Sequence, residues 1–194
     1  METTKTVESA ERNTWETITP GIHHAFVVSG DEDRLSDYLA FSIYRSLNAA
    51  TMYENAARMV HGKEVKSFLK DMADLKRYES DRITRYHQNS HRMSGDDMRP
   101  LPIDPMAMYC IDVDCNPIGS MDDACRFALK KELNNMQLYM RLSDLEMDPS
   151  IKKFFTFLVQ LQKAHVQFVQ NQLALVDFER MRKDISVFIS DTLG

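Results

Sequence analysis

The chain has 194 residues, 43% of them hydrophobic, which is enough for one substantial core and, by default, one domain. Its formal net charge of −5 excludes a generally basic nucleic-acid binder. No apolar run nears the roughly 20 residues that span a bilayer, Met1 to Lys5 lack the apolar core of a signal peptide, and three cysteines suit a reducing compartment better than a disulfide framework. A cytoplasmic protein without membrane or nucleic-acid partners is therefore expected.

Residues 1–30 read as a polar N-terminal extension with the single Trp15. Within it Ile22 to Val28 form a short apolar run, a strand or an extended lid, ended by Ser29-Gly30. His23 and His24 are adjacent and would not share a helix face, which weakens a metal reading. Asp31 to Asp33 place negative charge where a helix N-terminus favours it. A first helix then carries Leu35, Leu39, Ile43, Ser46, Ala50, Tyr53, Ala57 and Val60 inward, at steps of three and four. After the turn His61-Gly62-Lys63, a second carries Val65, Leu69, Met72, Lys76, Glu79, Ile83 and Tyr86. His87 and His91 at its end are four apart and could chelate a metal, but without a third ligand a solvated helix end is the simpler account.

From about 92 to 119 the periodicity fails at Pro100, Pro102, Pro105 and Pro117, and the stretch reads as a long crossover. Cys110 and Cys115 within it lack C-x-x-C spacing. Ser120 with Asp123 has the form of a capping box that starts a third helix. Its inward stripe is Cys125, Ala128, Leu129, Glu132, Met136, Tyr139 and Met140. Cys125 is read as a core thiol, the alternative being a redox partner two turns before Glu132. Asp148-Pro149-Ser150 breaks the helix and starts a fourth. There Ile151, Phe154, Phe155, Leu158, Leu161, Gln162, His165, Phe168, Val169 and Gln172 face inward. Leu173 to Met181 continue helical, and 179–194 form a C-terminal tail with Ile185, Val187, Phe188 and Ile189. An exposed apolar end of this kind seeks a partner, so a homodimer or higher homo-oligomer is expected. The thirteen methionines are scattered, which suits core filling.

The second half of the chain repeats the first. Tyr53 aligns with Tyr139, Val65 with Ile151, Lys66 with Lys152, Phe68 with Phe154, Met72 with Leu158 and Ile83 with Val169, without a gap. Two helical hairpins, each apolar on one face, bury each other as a four-helix bundle spanning about 31–178.

Glu132 stands seven residues before Tyr139, and Phe155-Thr156-Phe157-Leu158 leads to Gln162-Lys163-Ala164-His165. This half-motif resembles that of the ferritin-like di-iron carboxylate superfamily, closest to its rubrerythrin-like branch. The resemblance covers most of Arg34 to Leu175 and implies an all-α, ferritin-like four-helix bundle. In that family each hairpin supplies a glutamate from its first helix and an E-x-x-H from its second. The corresponding positions here are Ser46, Lys76 and Glu79 in the first hairpin and Glu132, Gln162 and His165 in the second. Only Glu132 and His165 match, so Ser46, Lys76 and Gln162 are substituted ligand positions.

Two carboxylates remain, and Lys76 adds an ammonium able to pair with Glu132 or Glu79. The reading favoured is a polar core of ion pairs and hydrogen bonds without metal. A residual site of Glu79, Glu132 and His165 for a single Fe, Mn or Zn ion is the alternative, and an intact di-iron centre is not expected. The function that follows is non-catalytic, binding or structural. The competing one is a metal-dependent oxidoreductase or iron-handling protein, and small-molecule binding in the emptied core is a third. Paired C-x-x-C motifs of the rubredoxin kind are absent, so no built-in iron-sulfur centre is expected.

Overall fold

The computed structural model describes residues 34–90 and 118–193. The extension at 1–30 with His23 and His24, the crossover up to 117 with Cys110 and Cys115, and His91 lie outside the described residues, as does the side chain of His87. Four helices follow in order: α1 (Arg34–Met59), α2 (Lys63–Ser90), α3 (Met121–Leu145) and α4 (Pro149–Leu193). α1 runs along α2 and α3 along α4, giving two hairpins. They join face to face, with Tyr38 of α1 against Phe155 of α4 at 4.8 Å and Tyr53 of α1 against Phe127 of α3 at 6.0 Å between ring centroids.

The helix ends follow from local chemistry. Ser120 is extended, its Oγ accepts from the Asp123 amide at 3.2 Å, and the Asp123 carboxylate accepts from the Ser120 amide at 2.9 Å, which completes the expected capping box. Ser120→Ala should therefore lower stability by about 1 kcal/mol in a thermal melt. No measurable change would mean that α3 starts without help from this cap. At the second turn Glu146 accepts from the amides of Met147 and Asp148, at 2.9 and 3.0 Å, and pairs with Arg34 of α1 at 2.5 Å. Asp148 then accepts from the amides of Ser150 and Ile151, at 2.7 and 3.1 Å, so α4 begins at Pro149 with its first donors satisfied.

The inward faces of α1, α2 and α4 match the sequence pattern closely. Leu39, Ser46, Tyr53, Leu69, Met72, Lys76, Glu79, Ile83, Phe154, Leu158, Gln162 and Val169 are all buried. In α3 one expectation needs correction. Met140 is 45% exposed, whereas Leu138 and Leu142 are fully buried. The buried positions Cys125, Ala128, Glu132, Asn135, Tyr139 and Leu142 alternate steps of three and four, and this stripe turns away from Met140.

Buried apolar residues form two clusters. One gathers Tyr38, Ile83, Leu138, Tyr139, Phe154, Phe155 and Leu158. The other gathers Tyr53, Val65, Phe68, Leu69, Met72, Ala124, Cys125 and Val169. Along every helix the polar inward residues fall between the two, so the bundle carries a polar layer between apolar ends.

α4 runs on to Leu193, so residues from 179 onward continue the same helix. Leu175, Phe178, Met181, Ile185 and Ile189 along this stretch are half exposed or more. Among the described residues, no helix is long and apolar enough to cross a membrane.

Candidate functional site

All six ligand positions taken from the resemblance meet in the polar layer: Ser46 from α1, Lys76 and Glu79 from α2, Glu132 from α3, Gln162 and His165 from α4. Each is at most 5% exposed. Lys76 is the hub. Its Nζ donates to Glu132 Oε2 at 2.9 Å and to Gln162 Oε1 at 3.3 Å, and lies against Glu79 Oε2.

The surrounding groups complete this arrangement. Gln162 Nε2 donates to Glu79 Oε1 at 2.7 Å, so one amide links the ammonium to a carboxylate. A glutamate at 162 could accept from Lys76 but could not donate to an ionised Glu79. Ser46 Oγ lies 3.1 Å from Glu79 Oε1 and 2.9 Å from the Ser42 carbonyl, and its single hydrogen serves one of them at a time. His165 Nδ1 sits 3.3 Å from Glu132 Oε2 and 3.4 Å from Glu79 Oε2. Glu79 Oε2 faces both Lys76 Nζ and His165 Nδ1 yet makes no well-directed hydrogen bond. One ligand atom from each of Glu79, Glu132 and His165 falls within 4.8 Å of the others, so this buried group could hold a metal ion.

Two further hydrogen-bonded links border the layer. Tyr53 OH donates to Glu132 Oε1 at 3.0 Å, fully buried. It stands seven residues after Ser46, as Tyr139 stands seven after Glu132, so the internal repeat already held the signal. Tyr139 instead belongs to the apolar cluster, its ring 6.4 Å from Phe155. Nearby, Arg45 donates from Nε and Nη2 to Asn135 Oδ1 at 3.0 and 2.7 Å, a second buried link between the hairpins.

No protein-family model matches the sequence, and no curated protein matches it. Among solved structures, the chain is similar to the bacterioferritin-related protein from Bacteroides fragilis, described as a dodecameric thioferritin. The TM-score is 0.50 at 16% identity, over 84% of this chain and 96% of that one. The fold is ferritin-like. A hypothetical protein from Pyrococcus furiosus aligns at 14% identity over 73% of this chain and 89% of that one, with a TM-score of 0.46.

Within the ferritin-like bundle, burial governs the electrostatics. Burial alone would raise the Glu132 carboxyl, but the Lys76 charge and the contact with His165 outweigh it and bring it down to about 2. Burial likewise works to lower the Lys76 ammonium, and the charges of Glu132 and Glu79 reverse this and raise it. The pair is therefore ionised at neutral pH.

A pH dependence follows. Because Glu132 is held below its ordinary value of 4.5, its stabilising contribution is complete above that value and is lost as pH falls toward about 2. Acid titration of stability should show a loss of about 3 kcal/mol in this window, absent in Glu132→Gln. An identical acid profile in the variant would disprove the assignment. Cys125 is pushed up to about 11 by burial, which keeps the thiol protonated and suits core packing.

Proposed function

We propose that this ferritin-like protein acts by binding or as a structural component, with Lys76 supplying internally the positive charge that metal ions supply in di-iron bundles. The observation that carries this reading is the contact of one ammonium with both buried carboxylates. A metal held by Glu79, Glu132 and His165, with bonds of about 2.0–2.2 Å, would compete for the oxygens that Lys76 occupies. The donor set does not fit two metals, because Ser46 and Gln162 offer neutral oxygens and Lys76 a cation. Gln162 fits the alternative, its amide matched to Lys76 on one side and Glu79 on the other.

A second reading has its own support. The convergence of Glu79, Glu132 and His165, with Glu79 Oε2 short of a hydrogen bond, is what a single Fe, Mn or Zn ion would use if Lys76 swung aside. The likeness to a bacterioferritin-related protein favours iron handling under that reading. The dodecameric state of that protein, with the exposed apolar face of α4 here, supports a homo-oligomer.

Elemental analysis of protein expressed in medium supplemented with iron, manganese and zinc tests the choice, with Glu132→Gln and His165→Gln beside it. Metal well below one per chain is the expected result. Near one per chain, lost in both variants, would replace the ammonium reading with the single-metal one.

A further inference from the structure

Away from the polar layer, the outer surface of the first hairpin holds a cleft of about 360 Å³, formed by Arg58 of α1 and Lys66, Lys70, Ala73 and Arg77 of α2, among others. Two buried alanines, Ala57 and Ala73, set its depth, since larger side chains there would fill the space between the helices. Its two acids are already engaged. Arg77 pairs with Glu54 across the helices and with Asp74 at 2.8 Å within its own. That leaves three cations. Among the described residues none of Arg58, Lys66 and Lys70 meets a carboxylate, and Arg58 has only a 3.3 Å contact with Asn55 Oδ1.

Lys66 and Lys70 are four residues apart, so they share one face of α2, where like charges repel and destabilise the helix. In a chain of net charge −5, four cations against two carboxylates around one concavity leave an excess of two positive charges, a local reversal of sign. A guanidinium offers paired donors to an oxyanion, and two ammonium groups add point charges. The volume lies at the small end of the roughly 300–1,000 Å³ common for ligand sites, and exceeds the needs of a single phosphate.

We infer that the cleft between α1 and α2 binds a small molecule carrying a di- or triphosphate group, held by Arg58, Lys66 and Lys70. Binding relieves the repulsion between the two lysines and leaves the Arg77 ion pairs in place. The site is independent of the core, and a metal found at Glu132 would not affect it.

Isothermal titration calorimetry of the full chain with inorganic pyrophosphate, inorganic tripolyphosphate and ADP, at about 0.1 M salt to suppress diffuse attraction, tests this. Saturable binding of at least one probe is expected, tenfold or more weaker in the Lys66→Gln, Lys70→Gln double variant. Binding of the inorganic chains as tightly as ADP identifies the phosphates as the whole ligand, and preference for ADP identifies a nucleotide. The control is Lys152→Gln with Lys153→Gln on the exposed face of α4, which changes net charge equally. No binding by any probe, unchanged binding in the Lys66, Lys70 variant, or an equal loss in the control would each overturn the inference.

Discussion

Lys76→Met is expected to lower stability at pH 7 by about 3–5 kcal/mol, the usual cost of removing one partner from a buried ion pair. Methionine fills similar space, so the loss isolates charge from packing. Two carboxylates would remain fully buried, with only Tyr53, Ser46, Gln162 and His165 to stabilise them. The deficit should shrink as pH falls and the carboxylates take up protons, the reverse of the wild-type acid profile. Chemical denaturation at pH 7 and pH 4, with exposed Lys153→Met as reference, reads both effects. A loss below 1 kcal/mol at pH 7 would show that the ammonium is not the counter-charge. Zinc should raise the denaturation midpoint of the variant more than that of the wild type, because the three ligand atoms are then free of competition.

Phe155→Ala should cost about 3–5 kcal/mol, through lost burial and the cavity left behind. Phe155 is fully buried, edge-on to Tyr38 and stacked near Tyr139, and so helps to join the two hairpins at one end of the bundle. Met147→Ala, at a position 89% exposed, should stay within about 0.5 kcal/mol and serves as the comparison. Equal midpoints for the two variants in urea would contradict the packing described for this end.

Much of the architecture was legible because four long helices repeat their apolar residues at the helical period, and Ser120, Asp148 and Pro149 mark ends by chemistry that acts within a few residues. The residues of the polar layer were legible for a different reason. Aligning one hairpin on the other puts Lys76 at the position of Gln162, and Glu79 at that of His165. Tyr53 was placed inward, but its bond to Glu132 joins residues 79 apart in sequence, and no local pattern encodes such a distance. The Arg45–Asn135 link, 90 residues apart, was hidden for the same reason. Met140 lies outside the buried stripe because the helix turns it about 100° from the buried Tyr139 beside it, although its apolar side chain extends the sequence pattern. The cleft between α1 and α2 could not be read either, since it depends on which charges Arg77 takes for itself.

The polar layer also acts as a key between the hairpins. A bundle with apolar residues along its whole length could be assembled with one helix slid by a turn, about 5.4 Å, at little loss of contact. Here such a slip would carry Glu132 out of reach of a donor that sits 2.9 Å away, and would bring the ammonium against apolar residues one turn along the facing helices, such as Ala128 of α3 or Leu158 and Val166 of α4. Charge in a dry interior tolerates no such neighbour. One alignment of the four helices satisfies the layer, so its ion pairs and hydrogen bonds also set how the two halves of the molecule mate.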